Sequence, residues 1–190
     1  MNWNSYRSWP HQCALMLALA SSACSPTLNW RVVHLQQLTA LLPCKPDQAQ
    51  RMVRLGSQDV QMRMAGCEAG GALFAISLVD AGARSNVPTV LAAWRTVTLK
   101  NLGGATPAPL PFKVAPTLQA GEPIATDREA GQADVPPERV IVTGKHVDGS
   151  VIQAQLAWIV VDTAIYQIGV YGPQLTPDMT ETLFAEVRTQ

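Results

Sequence analysis

Hydrophobic spacing switches along this chain between a period of two and a helical period, and the switches mark its elements. Trp30, Val32, Val33, Leu35, Leu38, Leu41 and Leu42 predict a strand from Trp30 to Leu42 that runs into Pro43. Arg51 to Leu55 predicts a second, short strand. Asp59 to Cys67 alternates, with Val60, Met62 and Met64 on one side and Gln61 and Arg63 on the other, so one face is buried. Glu68-Ala69-Gly70-Gly71 turns the chain, and Ala72 to Val79 returns as the partner strand of a hairpin. The period then lengthens. Val87, Val90, Leu91, Trp94, Val97 and Leu102 recur at helical spacing. Ser85 or Asn86 is placed to cap this helix, and Pro88 sits in its first turn, where a missing N–H removes no bond. Lys100 lies in the last turn, and Gly103-Gly104 supply the left-handed residues that end a helix.

Residues 103–138 break the pattern. Pro107, Pro109, Pro111, Pro116, Pro123, Pro136 and Pro137, with Gly103, Gly104, Gly121 and Gly131, exclude a continuous helix or a central strand. The stretch reads as a long insertion over a single domain, with an edge strand at Phe112 to Val114. Regular pattern resumes at Arg139, where Val140, Ile141 and Val142 start a strand that ends near Val147. Asp148-Gly149 predicts a two-residue hairpin. In Val151 to Val161, Ile152, Ala154, Leu156, Trp158 and Val160 face in, and Gln153 and Gln155 face out. Asp162-Thr163 turns into a strand from Ala164 to Tyr171, which Gly172-Pro173 stops. Thr176, Pro177 and Asp178 begin a last helix whose apolar face is Leu183, Phe184 and Val187.

Grouped strands with two helices predict an α+β class with a mainly antiparallel sheet and two main helices packed on it, in the order strands, helix, long loop, strands, helix. Three local features carry a family likeness: the Leu42-Pro43-Cys44-Lys45-Pro46 entry, the helix after the second hairpin, and the strand-Pro-helix end from Val170 to Val187. On these features the chain resembles the PsbP/Mog1-like sandwich seen in small bacterial exported proteins and lipoproteins, over residues 30–190. The resemblance implies a non-enzymatic accessory or binding role, because members of that group mostly assist larger assemblies. It carries no ligand residues with it.

The N-terminus adds a location. Arg7 is the only basic residue before Arg31, and an uncharged, mostly apolar run of 11 residues extends from Cys13 to Ala23. That length suits a signal peptide and is too short to span a bilayer. Residues 1–23 are therefore expected to be a signal peptide, 24–29 a short tether and 30–190 the folded domain. Two cleavage sites compete. Ala18-Leu19-Ala20 fits the ordinary A-x-A rule. Ser21-Ser22-Ala23-Cys24 resembles the lipobox of bacterial lipoproteins, with Ser21 where that motif usually has Leu, and would make Cys24 a lipidated N-terminus facing the periplasm. Export removes Cys13 and leaves three cysteines; with Cys24 lipidated, Cys44 and Cys67, 23 positions apart, remain as a candidate disulfide in an oxidising compartment, and without lipid Cys24 is a spare thiol.

Composition narrows the function further. Lys plus Arg number 14 and Asp plus Glu number 14, so the formal charge is zero. A nucleic-acid partner is not expected, because phosphate recognition needs a basic excess. Charged residues are only 15% of the chain, which excludes a charge-driven disordered protein. The sequence has no G-x-S-x-G elbow, P-loop or paired metal-ligand motif, and after export only His34 and His146 remain as histidines. Glu68, Asp80, Asp162 and Glu186 show no paired spacing for glycosidase chemistry. No cofactor is expected. Trp94, Trp158, Tyr166 and Tyr171 sit at core-like spacing, with Tyr171 the most exposed of them. The expectation is a non-catalytic envelope protein, lipid-anchored through Cys24, that binds another envelope protein by a sheet edge or the 103–138 loop. The alternative is a periplasmic small-ligand binding protein with a pocket between the sheet and the Trp94 helix.

Overall fold

The first apolar run is not one strand but a hairpin. Gln36 and Gln37 are the only adjacent polar pair inside it, and they turn the chain between β1 (Arg31–Leu35) and β2 (Leu38–Leu42). Gln36 takes a φ of 54°, a left-handed conformation uncommon outside glycine. Its neighbour is anchored on both sides. The Gln37 N–H donates to Tyr166 Oη at 3.2 Å, and the Gln37 carbonyl accepts from the N–H of Gln190 at 2.9 Å. The computed structural model describes residues 27–116, 135–146 and 148–190. Residues 1–26, with Cys13 and Cys24, most of the proline-rich insertion (117–134) and Val147 lie outside the described residues. Packing begins before Trp30. Leu28 lies against the core, the Asn29 N–H donates to Pro43 O at 2.7 Å, and Trp30 meets Phe74 edge-on at 6.0 Å.

Then follow β3 (Asp47–Leu55), β4 (Gln58–Ala69), β5 (Ala72–Asp80), α1 (Val87–Asn101), β6 (Ala108–Leu110), β7 (Ala115–Pro116), β8 (Glu138–Lys145), β9 (Val151–Val161), β10 (Ala164–Gly172), α2 (Pro177–Ala185) and β11 (Arg188–Thr189). The class is α+β. A large antiparallel sheet has the order β3-β4-β5-β10-β9-β8-β6, and a small sheet, which the sequence pattern does not announce, has the order β1-β2-β11-β7. The β11–β7 pair is parallel. Among the described residues no helix is long and apolar enough to cross a membrane.

The large sheet is covered on both faces. One face holds Leu55, Val60, Met62, Val79, Leu156, Trp158 and Ile165 against Val87, Val90, Leu91 and Trp94 of α1. The other holds Phe74, Ile76, Tyr166, Ile168 and Val170 against the small sheet and against Leu183 and Phe184 of α2. This is why β10 is buried along nearly its whole length and shows no clean alternation. It also corrects the reading of β9, whose Gln153 and Gln155 are half-buried rather than outward. Gln153 Oε1 accepts the Leu175 N–H at 3.0 Å, and Gln155 accepts from the Arg139 guanidinium.

The Cys44–Cys67 disulfide is formed, with its Cα atoms 6.0 Å apart. It joins the segment after β2, in the small sheet, to β4, in the large one. The Gly70-Gly71 turn has both residues at positive φ (59° and 76°), as the tight primed hairpin turns require.

Two local expectations are corrected. The Asp148-Gly149 pair does not make a two-residue hairpin, because Lys145 pairs with Val151 and five residues separate the strands. The Asp148 carboxylate accepts both the N–H and the hydroxyl of Ser150, at 2.9 and 2.7 Å, and this local ring closes a wider loop. Those bonds, the hydroxyl's first, hold the Asp148 carboxyl below its ordinary pKa. The edge strand is Ala108–Leu110 rather than Phe112 to Val114. Pro109 is tolerated there because β6 pairs on one side only. Phe112 instead packs edge-on against Phe184, with ring centroids 6.0 Å apart.

Candidate functional site

The helix α1 does not cover its side of the sheet completely. Its buried residues are Val87, Val90, Leu91 and Trp94, all in the first half. Over the second half the sheet surface drops away, because three small residues lie in register across adjacent strands. Gly66 of β4 pairs with Ala75 of β5, and Ala75 pairs with Gly169 of β10. Side chains set 4.7–4.9 Å apart across strands normally fill such a face. Here the Tyr171 ring takes the space over Gly169, and a trough stays open over Ala75.

One part of this trough has a volume of about 320 Å³. Its walls are Met62 and Met64 of β4 and Trp94, Val97, Thr98 and Asn101 of α1. Adjoining it is a second part of about 680 Å³ that reaches Glu68, the Gly70-Gly71 turn, His146, Ile152 and Pro173. Leu73, Asn101, Leu102 and Tyr171 line both parts. Leu73 and Val97, 43% and 41% exposed, are among the most exposed large apolar side chains, and both lie on this groove.

A polar row crosses the apolar floor. Glu138, Trp158, Gln167, Ser77 and Met64 are successive register partners on the α1 face of the sheet. Above them Arg95 of α1 pairs with Glu138 and lies over the Trp158 ring, 5.4 Å from its centroid. Gln167 Nε2 donates to Thr98 Oγ1 at 3.0 Å. Ser77 and Gln167 are both buried and both line the groove. With its oxygen accepting from Gln167, Thr98 keeps its hydroxyl proton for another acceptor. Arg51 of β3 also lines the groove and takes part in none of the ion pairs among the described residues.

No protein-family model matches the chain, and no curated protein matches it. The site is therefore read from its own chemistry.

Tyr171 is the most exposed aromatic of the set, half-buried where Trp94, Trp158 and Tyr166 are fully buried. Its ring folds back over Gly169, and burial of the hydroxyl pushes it well above the ordinary phenol range. Trp158 and Tyr166 are core residues. Trp94 is buried yet lines the groove. The two histidines are not brought together. His34 bonds Thr39 Oγ1 at 3.0 Å on the small sheet, while His146 lies at the far end of the groove. Asp80 accepts the Gly82 N–H at 2.8 Å, Asp162 pairs with Arg84, and Glu186 pairs with Arg188 at 3.0 Å. Among the described residues no group of three His, Cys, Asp or Glu side chains is placed to hold a metal ion.

The sequence pattern singles out Trp94 and Tyr171 but misses Arg51, Ser77, Thr98 and Gln167. Two of these leave a signal. Ser77 interrupts the apolar run of β5, and Gln167 interrupts that of β10. A polar residue inside a strand buried on both faces needs a partner or a ligand.

Proposed function

We propose that this chain is an exported, non-catalytic binding protein of the bacterial cell envelope, whose ligand is a small apolar or amphiphilic molecule held between α1 and the large sheet. One observation carries the reading. An apolar trough floored by Ala75 lies under the second half of α1, with Ser77, Thr98 and Gln167 converging on it. Concave apolar sites of roughly 300–1,000 Å³ with a few placed polar groups are the usual form of small-molecule sites. Residues 1–23 act as the export signal, and Cys24 carries lipid unless cleavage follows Ala20. The PsbP/Mog1-like resemblance and its order of strands, helix, long loop, strands and helix belong to this reading.

A second reading keeps the protein partner. Its support is β3, which forms one edge of the large sheet and is exposed over its first six residues, with Met52 64% exposed. Such an edge pairs readily with another strand.

Native mass spectrometry of the unreduced protein, purified from its own envelope, tests the choice. The expected spectrum has a small-molecule adduct that is lost on denaturation and is missing in Ala75→Leu, which fills the trough. Adduct-free protein that still unfolds cooperatively, recovered with a stoichiometric protein partner, overturns the ligand reading. The same spectrum reports whether Cys24 bears lipid.

A further inference from the structure

We infer that the groove selects an amphiphile with a single anionic head, which sits between Arg51 and the Ser77–Thr98 pair while its apolar body lies over Ala75 toward Tyr171. This rests on the groove being a ligand site and deepens that reading.

Charge comes first. The narrower part of the groove is lined by Arg51 and Arg54 and by no Asp or Glu. Arg54 is engaged with Asp59 at 3.4 Å, so among the described residues Arg51 is the cation there without an ion-pair partner. A cation beside an apolar trough with no compensating carboxylate favours an anionic ligand over a neutral or cationic one.

Hydrogen bonding points the same way. Opposite Arg51 the site offers the Ser77 hydroxyl and the Thr98 hydroxyl, whose oxygen is already occupied by Gln167. Both can donate, and an anionic oxygen accepts such bonds more strongly than a neutral one. β3 and β5 flank β4, so Arg51 and Ser77 belong to strands about 10 Å apart at the usual spacing. A carboxylate-sized head spans that gap above Met62 and Met64, which β4 presents on the same face.

The apolar body has one direction to go. The floor past Ser77 is Ala75, and the groove continues along Leu73 and Tyr171 toward Leu102, Ile152 and Pro173. Glu68 lies at that far end. It repels a second negative charge, so the site suits a monoanion rather than a molecule charged at both ends.

The experiment is a titration of the protein, freed of bound lipid, with dodecanoate, dodecanol and dodecylammonium. Each is kept below its micelle concentration and followed by calorimetry and by tryptophan fluorescence. Dodecanoate is expected to bind at least ten-fold more tightly than either of the others. Arg51→Gln, on an exposed edge-strand position, should bring dodecanoate to the dodecanol level and leave dodecanol unchanged. Ala75→Leu should weaken both. Equal binding of all three heads, or an Arg51→Gln variant that keeps the preference for dodecanoate, overturns the anionic head and leaves the groove reading standing. Failure of every probe to bind, or equal binding to Ala75→Leu, overturns both.

Discussion

Tyr171 lies across Gly169, two positions back on the same face of β10. A Cβ at residue 169 would stand 2.7 Å from Tyr171 Cε2 and 2.9 Å from its hydroxyl oxygen. The absent side chain is thus the space the ring occupies, and the ring in turn forms the wall shared by both parts of the groove.

Gly169→Ala is therefore expected to displace the ring. Leu156 Cδ2, 3.0 Å from the same point, blocks an easy escape. The cost should be about 1–3 kcal/mol, typical of overpacking a filled site. Denaturant unfolding measures it. The variant should also weaken dodecanoate and dodecanol binding together, and an unchanged midpoint would mean that the ring relaxes freely.

The buried tyrosines make stability depend on pH in the alkaline range. Burial raises the pKa of Tyr171, and burial is also the largest cause of the upward shift of Tyr166. The unfolded chain then loses these protons at lower pH than the folded one. Stability is fully present below the ordinary tyrosine pKa of about 10 and falls as pH rises beyond it. Each group contributes a slope of at most about 1.4 kcal/mol per pH unit. Urea midpoints between pH 8 and 11 should fall in the wild type, and Tyr171→Phe should flatten the decline.

The Cys44–Cys67 bond ties the small sheet to the large one across 23 positions. Replacing both cysteines by serine should cost about 3 kcal/mol on the chain-entropy view of cross-links. Reduction of the wild type should lower its melting temperature by a similar margin. An oxidised wild type that melts no higher than the double variant would remove the disulfide from the account of stability.

Arg139 is buried, and its guanidinium stacks over the Phe184 ring at 4.2 Å, bonds Gln155 and reaches Glu181 of α2 at 3.6 Å. Burial, the largest influence, lowers its pKa, and Glu181 opposes that shift. Arg139→Ala removes the stem packing and the charged hydrogen bond together and should cost about 2 kcal/mol. Arg139→Met, which keeps the stem on Phe184, should cost less. Thermal unfolding of the two variants compares them directly.

Local rules carried far in this chain. The Val87–Asn101 helix, its Pro88 start and its glycine stop follow from spacing and end chemistry within a few residues. So do the Val151–Val161 strand and the Pro177 helix. These elements are set by neighbours in sequence, and a sequence displays its neighbours. The Gln36-Gln37 turn needed more, because its bonds come from Tyr166 and Gln190, distant in the chain. The second sheet needed β11 to return beside β2. The groove needed most of all. Gly66, Ala75 and Gly169 are unremarkable where they stand in three separate strands, and only pairing in register sets them side by side. Arg51, Ser77 and Thr98 likewise converge from an edge strand, an inner strand and a helix. The chain alone determined both helices and most strands of the large sheet, since periodicity and end signals are local. The tertiary structure decided which face of each strand is empty, since a cavity is a property of what several distant segments fail to fill together.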